Sequence, residues 1–284
     1  MGYQEHVAER VCEAVIRAST TFPQDKKNAY KRAIETETHS QARWVLETLL
    51  ENAEAAQRNH SPLCDDTGIP HILVEAGPEA VVTGVLLDAM RDGVCRGLRA
   101  LPGRPMAVKG DDGQRIAQSE GMYDDPGALE AAPILIRSTK ENVLRVYVLM
   151  FGGGPAIRAH TSRVFHRHQT QTVIDQIVEW AKDSTTQLGC TPCTLAVGIG
   201  RSHYEATALM LQALVDGTYD SQSEMEKEIT SRVNGYQTGV LGLGGNTTVL
   251  ATFMKVGPQR ASGVRVVCMR PCCCFEPRIA AVEL

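Results

Sequence analysis

The chain has 284 residues, 43% of them hydrophobic and 22% charged, which is typical of a globular protein with one large core or two modest ones. Its formal net charge of −4 provides no basic surface for nucleic acid or anionic lipid, and no apolar stretch reaches the ~20 residues of a membrane span. Residues 1–9 are polar and lack the apolar core of a signal peptide, so we expect a cytoplasmic protein that binds neither nucleic acid nor membrane.

Apolar residues at helical spacing predict helices up to about residue 60. Val7, Val11 and Val15 follow a period of 3.6 residues, and a second apolar stripe passes through Trp44. Pro23 separates the first helix from the next, because proline cannot continue a helix interior. The sequence therefore predicts a helical N-terminal segment over residues 1–60.

Beyond residue 60 the predicted strands and helices alternate, with a long polar loop at 101–127 that we expect to be functional or mobile. The predicted strands are 72–74, 132–136, 143–151, 194–200, 247–256 and 263–268. The predicted helices are 78–100, 170–182, 204–214 and 222–233. This pattern favours a single α/β (α+β) domain over 1–284, with an α/β core at 61–284 that carries the functional loops.

Nine cysteines are an odd number, so a complete set of internal disulfides is impossible. Without a secretory signal the reducing cytosol is the expected compartment, where clustered cysteines more often bind metal or act in catalysis. The cysteine segments are therefore candidate metal or catalytic sites.

Cysteines stand out in three loop-like segments. Residues 64–68 (CDDTG) place a thiol beside two carboxylates, which is compatible with an ordinary turn or with a chemical site. Residues 190–193 (CTPC) contain one Cys-x-x-Cys pair, which lacks the two further ligands of a closed zinc site. Residues 268–274 (CMRPCCC) end in three adjacent thiols, of which we expect one to be a ligand and the others to pack.

The glycines at 198 and 200 follow a predicted strand but lack the third glycine and the acidic residue of a dinucleotide site. Three cysteines from three distant loops would instead suit an iron–sulfur cluster with one iron left open. Such an iron acts as a Lewis acid toward a hydroxyl or carboxylate oxygen.

Three segments resemble the α subunit, or N-terminal domain, of the class I fumarase and L-tartrate dehydratase family of iron–sulfur hydro-lyases. They are residues 64–68 (CDDTG), 189–200 (GCTPCTLAVGIG) and 242–250 (GLGGNTTVL). Family members typically have C-Q-D-T-G, C-P-P followed by G-V-G-I-G, and G-L-G-G-x-T-T-V-L in the same order. The resemblance extends from about residue 14 over nearly the whole chain.

The resemblance implies a 4Fe–4S cluster. Cys64 and Cys190 match the first two cluster cysteines of the family. A count without gaps from residue 242 makes Cys272 the third, whereas the family arginine four residues after this cysteine would make Arg278 select Cys274. The gapless count covers more residues, so Cys272 is the predicted third ligand.

The resemblance also implies substrate contacts. Asp66 matches a substrate-contacting aspartate and is the predicted catalytic residue, Arg99 resembles an arginine that binds a substrate carboxylate, and Gly154 belongs to a glycine turn that faces the substrate. Asp65 and Arg260 occupy substrate-site positions where the family usually has glutamine and histidine. Thr191 and Cys193 also modify the family's C-P-P segment.

Residues 158–168 contain a basic run, which is either a solvated face or a contribution to carboxylate binding.

Members of this family build the active site between two domains, and nothing after Cys274 could be the second one. We therefore expect a β subunit as partner in an α2β2-like hetero-oligomer. The predicted function is hydration or dehydration of a small 2-hydroxy dicarboxylate, of the malate/fumarate or tartrate type. The alternative is a non-catalytic binding or assembly protein that retains the fold.

Overall fold

A computed structural model describes residues 2–101 and 103–284 and has the α/β fold that the sequence predicts. Its helices are α1 Tyr3–Thr20, α2 Gln24–Thr36, α3 Ser40–Arg58, α4 Gly84–Ala100, α5 Asp112–Ala117, α6 Gly153–Ala156, α7 Thr170–Leu188, α8 His203–Asp216 and α9 Glu224–Asn234. Its strands are β1 Ile69–Ala76, β2 Leu135–Ser138, β3 Leu144–Phe151, β4 His160–Phe165, β5 Cys193–Gly200, β6 Val249–Val256, β7 Val264–Cys272 and β8 Arg278–Glu283.

These elements form two compact units, each with its own four-stranded sheet. Unit 1 comprises residues 2–21, 56–151 and 278–284, and unit 2 comprises residues 22–55 and 152–277. The organisation of 1–284 as a single domain remains a prediction. No helix within the described residues is both long enough and apolar enough to cross a membrane.

The sheet of unit 1 has the strand order β2-β1-β3-β8, in which only the β1–β2 pair is parallel. The apolar face of α1, with Val7, Val11 and Val15 fully buried, packs in one core with α4 and the sheet. Gly97 of α4 permits this approach, since a Cβ there would lie 2.6 Å from the Cβ of Val15. The helical period of the sequence thus identified the correct buried face of α1.

Several elements differ from their predicted form. Helix α4 begins after Thr83, whose hydroxyl accepts from the Leu86 N–H, and not at residue 78. The predicted loop 101–127 contains the short helix α5, which Asp111 and Gln114 stabilise as a capping box. Strands β4 and β8 and the short helix α6 were not predicted. Strand β4 is rich in basic and polar residues, which weakens its apolar alternation.

A carboxylate buried in the sheet of unit 1 joins three strands. Glu75 on β1 is 7% exposed, and its register partners are Arg137 on β2 and Arg145 on β3. Arg137 Nε donates to Oε1 at 3.0 Å, Arg145 Nη1 to Oε2 at 3.0 Å, and Tyr147 Oη to Oε2 at 3.1 Å. Burial opposes ionisation of Glu75, but Arg137 and the other donors outweigh it and lower the pKa of Glu75.

We expect Glu75→Gln to lower the free energy of unfolding by about 1–3 kcal/mol, because it removes the buried carboxylate that pairs with the half-buried Arg137 and is one of the three carboxylates that pair with Arg145. Because folding lowers the pKa of Glu75, its ionised carboxylate stabilises the protein fully at pH values above the pKa of an unfolded glutamate, about 4.3. This stabilisation is lost as the pH falls through the lower pKa that Glu75 has in the folded protein. Urea denaturation of both proteins between neutral and acidic pH measures this. Equal stability at neutral pH would contradict the prediction.

The sheet of unit 2 has the strand order β4-β7-β5-β6, with β5 buried along its whole length. Strands β5 and β6 are parallel, and β7 runs antiparallel to β5. The start of β5 therefore lies at the same edge as the end of β7, where Thr194 pairs with Cys272. This edge, the cysteine edge, holds the residues around 190–193 and 272–276.

Candidate active site

The CDDTG segment forms a tight turn in unit 1, immediately before β1. Asp66 Oδ1 accepts from the Gly68 N–H at 3.1 Å, and Gly68 has a φ of +89°. A Cβ at Gly68 would lie 2.5 Å from Nη2 of Arg278, so only glycine allows the arginine to reach this turn. Arg278 Nη1 in turn donates to the Asp66 carbonyl at 2.8 Å.

A cavity of about 510 Å³ lies against this turn, entirely within unit 1. Its walls combine one thiol, one carboxylate, two hydroxyls and two guanidinium groups with apolar atoms. The lining residues are Ser19, Pro62, Cys64, Asp65, Thr67, Leu101, Gly103, Arg104, Pro105 and Arg278. Such a mixture of convergent polar groups in a concave site is typical of a small-molecule site.

Arg104 is a cavity residue that the sequence interpretation missed. Its backbone N–H donates to Thr67 Oγ1 at 2.7 Å, which fixes the arginine beside the turn. Its Nη1 lies 3.8 Å from Asp65 Oδ2, while Asp65 Oδ1 accepts from the Cys64 thiol at 3.5 Å. The long polar loop 101–127 was expected to be functional or mobile, and that expectation was the signal that could have identified Arg104.

Arg99, the predicted carboxylate-binding arginine, forms a bidentate ion pair within the chain. Its Nε and Nη2 donate to the Asp125 carboxylate at 2.9 and 2.7 Å, which raises the pKa of Arg99 and lowers that of Asp125. Gly127 packs against this guanidinium, where an added Cβ would lie 2.8 Å from Cζ. The Arg99 guanidinium, which was predicted to bind a substrate carboxylate, is therefore already paired with Asp125.

At the cysteine edge of unit 2, Cys190 and Cys274 adjoin. The Cys274 N–H donates to the Cys190 carbonyl at 3.0 Å. A hydrogen bond with the Cys273 thiol, burial and the nearby Cys190 thiol together raise the pKa of Cys274 well above its ordinary value. The Tyr30 hydroxyl donates to the Cys274 carbonyl at 2.9 Å and so ties this cysteine to α2.

Cys272, the predicted third ligand, has different surroundings. Its side chain is fully buried at the end of β7, and Arg270 Nη1 donates to its sulfur at 3.0 Å. Burial raises the pKa of Cys272 to about 12, even though Arg270 opposes this effect. Neighbouring Cys193 is also fully buried, and burial likewise raises its pKa.

The charged groups buried beside these thiols have a net positive charge. These groups are the cations Lys26 and Arg270 and the carboxylate of Glu276. Arg270 Nη1 donates to Glu276 Oε2 at 2.8 Å, and Lys26 Nζ donates to the Glu276 carbonyl. Burial lowers the pKa of Lys26 to about 8, and the adjacent thiols oppose that shift. Two cations against one carboxylate leave one positive charge that thiolate sulfur can balance.

Thiol donors of this kind fit an iron–sulfur cluster, whose ligands are cysteine thiolates. No set of three or more His, Cys, Asp or Glu side chains converges as a metal-binding group within residues 2–101 and 103–284. Unit 2 thus supplies adjacent thiol donors and a compensating charge, but not a closed metal site.

The glycine turn and Arg260 lie at opposite edges of the sheet of unit 2. The Gly152 N–H donates to Glu276 Oε1, so the turn that contains Gly154 lies at the cysteine edge. Arg260 is exposed in the loop between β6 and β7, beyond the far end of β5, a strand that spans about 23 Å from Cys193 to Gly200. The structure therefore does not bring Arg260 to the cysteines.

The basic run is largely a solvated face. Arg163, Arg167 and His168 are exposed, whereas His166 is buried and bonded to the Ser262 carbonyl at 2.6 Å. Arg158 donates to the carbonyls of Gly154 and Gln187 at 2.9 and 2.7 Å, a structural link between α6 and the end of α7.

Comparison with known proteins gives one family match. The family model described as "Fumarate hydratase (Fumerase)" matches residues 8–283, which is nearly the whole chain.

Individual relatives are distant but match over most of the chain. A protein of Methanocaldococcus jannaschii named "Putative L(+)-tartrate dehydratase subunit alpha" is 22% identical over 96% of both chains. The "L(+)-tartrate dehydratase subunit alpha" of Escherichia coli K12 is 23% identical over 94% of this chain and 87% of its own length. A Geobacillus stearothermophilus protein named "Putative fumarate hydratase class I" is 22% identical over 89% of this chain, but this match covers 50% of that protein.

Proposed function

The chain belongs to the fumarate hydratase (Fumerase) family, and from this premise we propose that it is the α subunit of a cytoplasmic 4Fe–4S hydro-lyase. Its substrate would be a small 2-hydroxy dicarboxylate of the malate/fumarate or tartrate type, the two types that the names of its relatives indicate. The reaction would add or remove water across a carbon–carbon double bond.

The observation that carries this proposal is the cavity in unit 1. Both Cys64 of the CDDTG segment and Arg104 line this concave space of about 510 Å³. A dicarboxylate substrate needs a fixed cation with planar donor geometry, and an arginine supplies it. Because Arg99 is engaged by Asp125, Arg104 replaces it in our proposal as the residue that binds a substrate carboxylate.

The proposed cluster ligands are Cys64, Cys190 and a tail cysteine. For the tail position we favour Cys274 over Cys272, because Cys274 adjoins Cys190 whereas the Cys272 sulfur accepts from Arg270. When bound, a cluster with three cysteine ligands supplies an iron with an open position, a Lewis acid for the substrate hydroxyl.

The other residues would hold the substrate in place. The Thr67 hydroxyl accepts from the backbone N–H of Arg104 and so fixes its position, and the exposed Asp65 pairs with Arg104 until a substrate carboxylate replaces it. Asp66 keeps its proposed role in positioning the substrate or its water, with Oδ1 already ordered by the Gly68 N–H. Gly154 remains a proposed backbone contact at the cysteine edge.

The proposed partner is a β subunit that carries the second half of the active site in an α2β2-like complex. Two matched relatives are named as alpha subunits, and the Geobacillus relative is about twice as long as the matched region. We propose that this partner supplies the catalytic base.

The test is anaerobic co-expression with a candidate β chain, followed by assays of fumarate hydration and tartrate dehydration. We expect a visible charge-transfer band, activity that requires both chains, and loss of activity on exposure to air or an iron chelator, because an open iron is vulnerable to oxidants. Activity that survives both treatments would overturn the cluster mechanism. A cluster-loaded complex without hydro-lyase activity would favour the non-catalytic binding protein.

A further inference from the structure

A second cavity, of about 490 Å³, lies entirely within unit 2, at the end of the sheet opposite the cysteine edge. Ile199 at the end of β5, Val256 at the end of β6 and Arg265 near the start of β7 line it. The first half of α7, the turn before it and the start of α9 form most of the remaining wall. None of the lining residues takes part in the proposed reaction, so this space, the α7 cavity, is a candidate site for a second ligand.

The α7 cavity continues the apolar core of unit 2. Val173, Ile174 and Ile177 on α7 and Ile199 on β5 belong to that core and also line the cavity. Met225 on α9, another lining residue, is 38% exposed. Aliphatic walls form no hydrogen bonds with water, so an apolar ligand that covers them is favoured over solvent.

Arg265, the one arginine among the described lining residues, lies on the face of the sheet that packs against α7. Its register partner on β4 is Val164, and residues directly opposite in an antiparallel pair lie on the same face. Val164 packs in the core with α7, and so do Val267 and Met269, which follow Arg265 by two and four residues along β7. The arginine therefore ends an apolar row on the face that bounds the α7 cavity.

The Arg265 guanidinium is held through one of its three nitrogens. Nη1 donates to the carbonyls of Ser262 and Val264 at 3.1 and 3.0 Å, and to that of Arg260 at 3.4 Å. The Nε and Nη2 donors have no hydrogen-bond partner within the described residues, and the side chain is half-buried. These donors are available to an acceptor, and a guanidinium favours an anionic one.

A buried histidine holds the polar end of the α7 cavity in place. His166 lines the cavity and is 8% exposed; its Nδ1 accepts from the His168 N–H at 2.9 Å, so the ring proton is on Nε2, which donates to the Ser262 carbonyl at 2.6 Å. Arg167 and His168 have φ values of +49° and +58°, which are uncommon for residues other than glycine. The His166 bonds thus stabilise a strained turn and join it to the loop that Arg265 binds, which pre-organises this end of the cavity.

The side chains of the α7 cavity favour an anionic ligand with an aliphatic body. The described lining residues include no Asp or Glu, although the chain as a whole has a formal net charge of −4. The titratable side chains among them are those of Arg265, His166 and His168. The described walls also contain no Phe, Tyr or Trp on which a planar ring could stack, so a flexible aliphatic chain fits them better.

We propose that the α7 cavity binds a free aliphatic monocarboxylate of medium chain length, with its carboxylate on Arg265 and its chain along α7. A neutral apolar ligand would leave the Arg265 donors without an acceptor, and inorganic phosphate would leave the aliphatic walls in contact with water. The site uses no residue of the proposed reaction, so the two proposals stand or fall separately.

The test is calorimetric titration of the full chain with octanoate, with its neutral analogue octan-1-ol and with the shorter hexanoate. We expect octanoate to saturate one site per chain. Octan-1-ol should bind about 10-fold more weakly, because it forms no charge-assisted hydrogen bond with Arg265. Hexanoate should also bind about 10-fold more weakly, since each buried methylene group is worth roughly 4-fold in affinity.

Three variants locate the ligand. Arg265→Gln should weaken octanoate binding about 10-fold and leave octan-1-ol binding nearly unchanged. The matched control is Arg163→Gln, since Arg163 is exposed on β4 and precedes Val164, which places its side chain on the other face of the sheet; octanoate affinity should not change. Met225→Trp enlarges a partly exposed lining residue and should weaken octanoate and octan-1-ol alike, and a thermal melt checks that each variant is folded.

Equal affinity of the wild type for octanoate and octan-1-ol would overturn the anionic site, whether or not Arg265→Gln folds. Equal weakening by Arg163→Gln would reduce the effect to general surface charge, and octanoate binding that ignores Met225→Trp would place the ligand elsewhere; either result refutes the proposal. Failure to bind millimolar octanoate refutes it too, and protection of Met225 from oxidation by a candidate β chain would then assign the α7 cavity to a protein contact.

Discussion

Replacing Cys274 by serine is expected to abolish the visible absorbance of the cluster and to reduce hydro-lyase activity by more than about 100-fold. Mutating a residue that only hydrogen-bonds to a metal ligand typically costs about 10- to 100-fold in activity, and losing the ligand itself should cost more. The structural reason is the position of Cys274, whose N–H donates to the Cys190 carbonyl. The measurement is anaerobic absorbance and iron content of the purified complex, together with its activity.

Cys272→Ser is the matched control for this experiment. The Cys272 sulfur accepts from Arg270, and a serine oxygen at that position can also accept, so we expect the cluster to persist with a modest change in melting temperature. The opposite outcome, with the cluster lost in Cys272→Ser and kept in Cys274→Ser, would restore the assignment made by counting along the sequence. If both variants keep the cluster, neither Cys272 nor Cys274 is a cluster ligand.

Arg104→Lys is expected to lower kcat/KM by about one to two powers of ten, because lysine cannot reproduce the planar fork that binds a carboxylate through two hydrogen bonds. Folding should be nearly unaffected, since the Arg104 side chain is more than half exposed and its ion-pair partner, Asp65, is exposed as well. Steady-state kinetics and a thermal melt on the same preparation test both parts.

Arg99→Lys provides the comparison on the neighbouring arginine. Its guanidinium binds Asp125 on the surface, so we expect kinetics close to those of the wild type and little change in melting temperature. If the kinetic loss instead follows Arg99 and spares Arg104, the arginine chosen from the sequence is the substrate ligand and the assignment from the cavity is wrong.

Local patterns in the sequence predict buried helix and strand faces, but not the long-range contact that positions Arg104. The buried face of α1 follows from a period of 3.6 residues, and the buried strand β5 follows from a continuous apolar run, since both patterns are local. Arg104 is placed by its hydrogen bond to Thr67, which is 37 residues away in the chain. No local pattern encodes that contact, whereas the assignment of Arg99 to substrate binding rests on a resemblance to a family motif and stays a prediction.

The cysteine tail illustrates the same limit. From the sequence we expect one of the three adjacent thiols to be a ligand, but the choice among them depends on which backbone amide meets Cys190 and which sulfur meets Arg270. Strand β4 escaped prediction because an edge strand tolerates charged residues on its exposed side, so its alternation is weak. Tertiary contacts, not propensities, determine both features.

The discontinuous chain path of unit 1 has a consequence for biosynthesis. Strand β8, which completes its sheet and contributes Arg278 to the cavity, follows every other element in the sequence. During translation, α1 and β1 to β3 therefore leave the ribosome long before the strand that pairs with β3, and residues 152–277 of unit 2 are made in between. The nascent chain carries an open edge on β3 throughout this interval, so chaperone demand should concentrate there, and a ribosome that stalls before residue 278 releases a chain without the cavity.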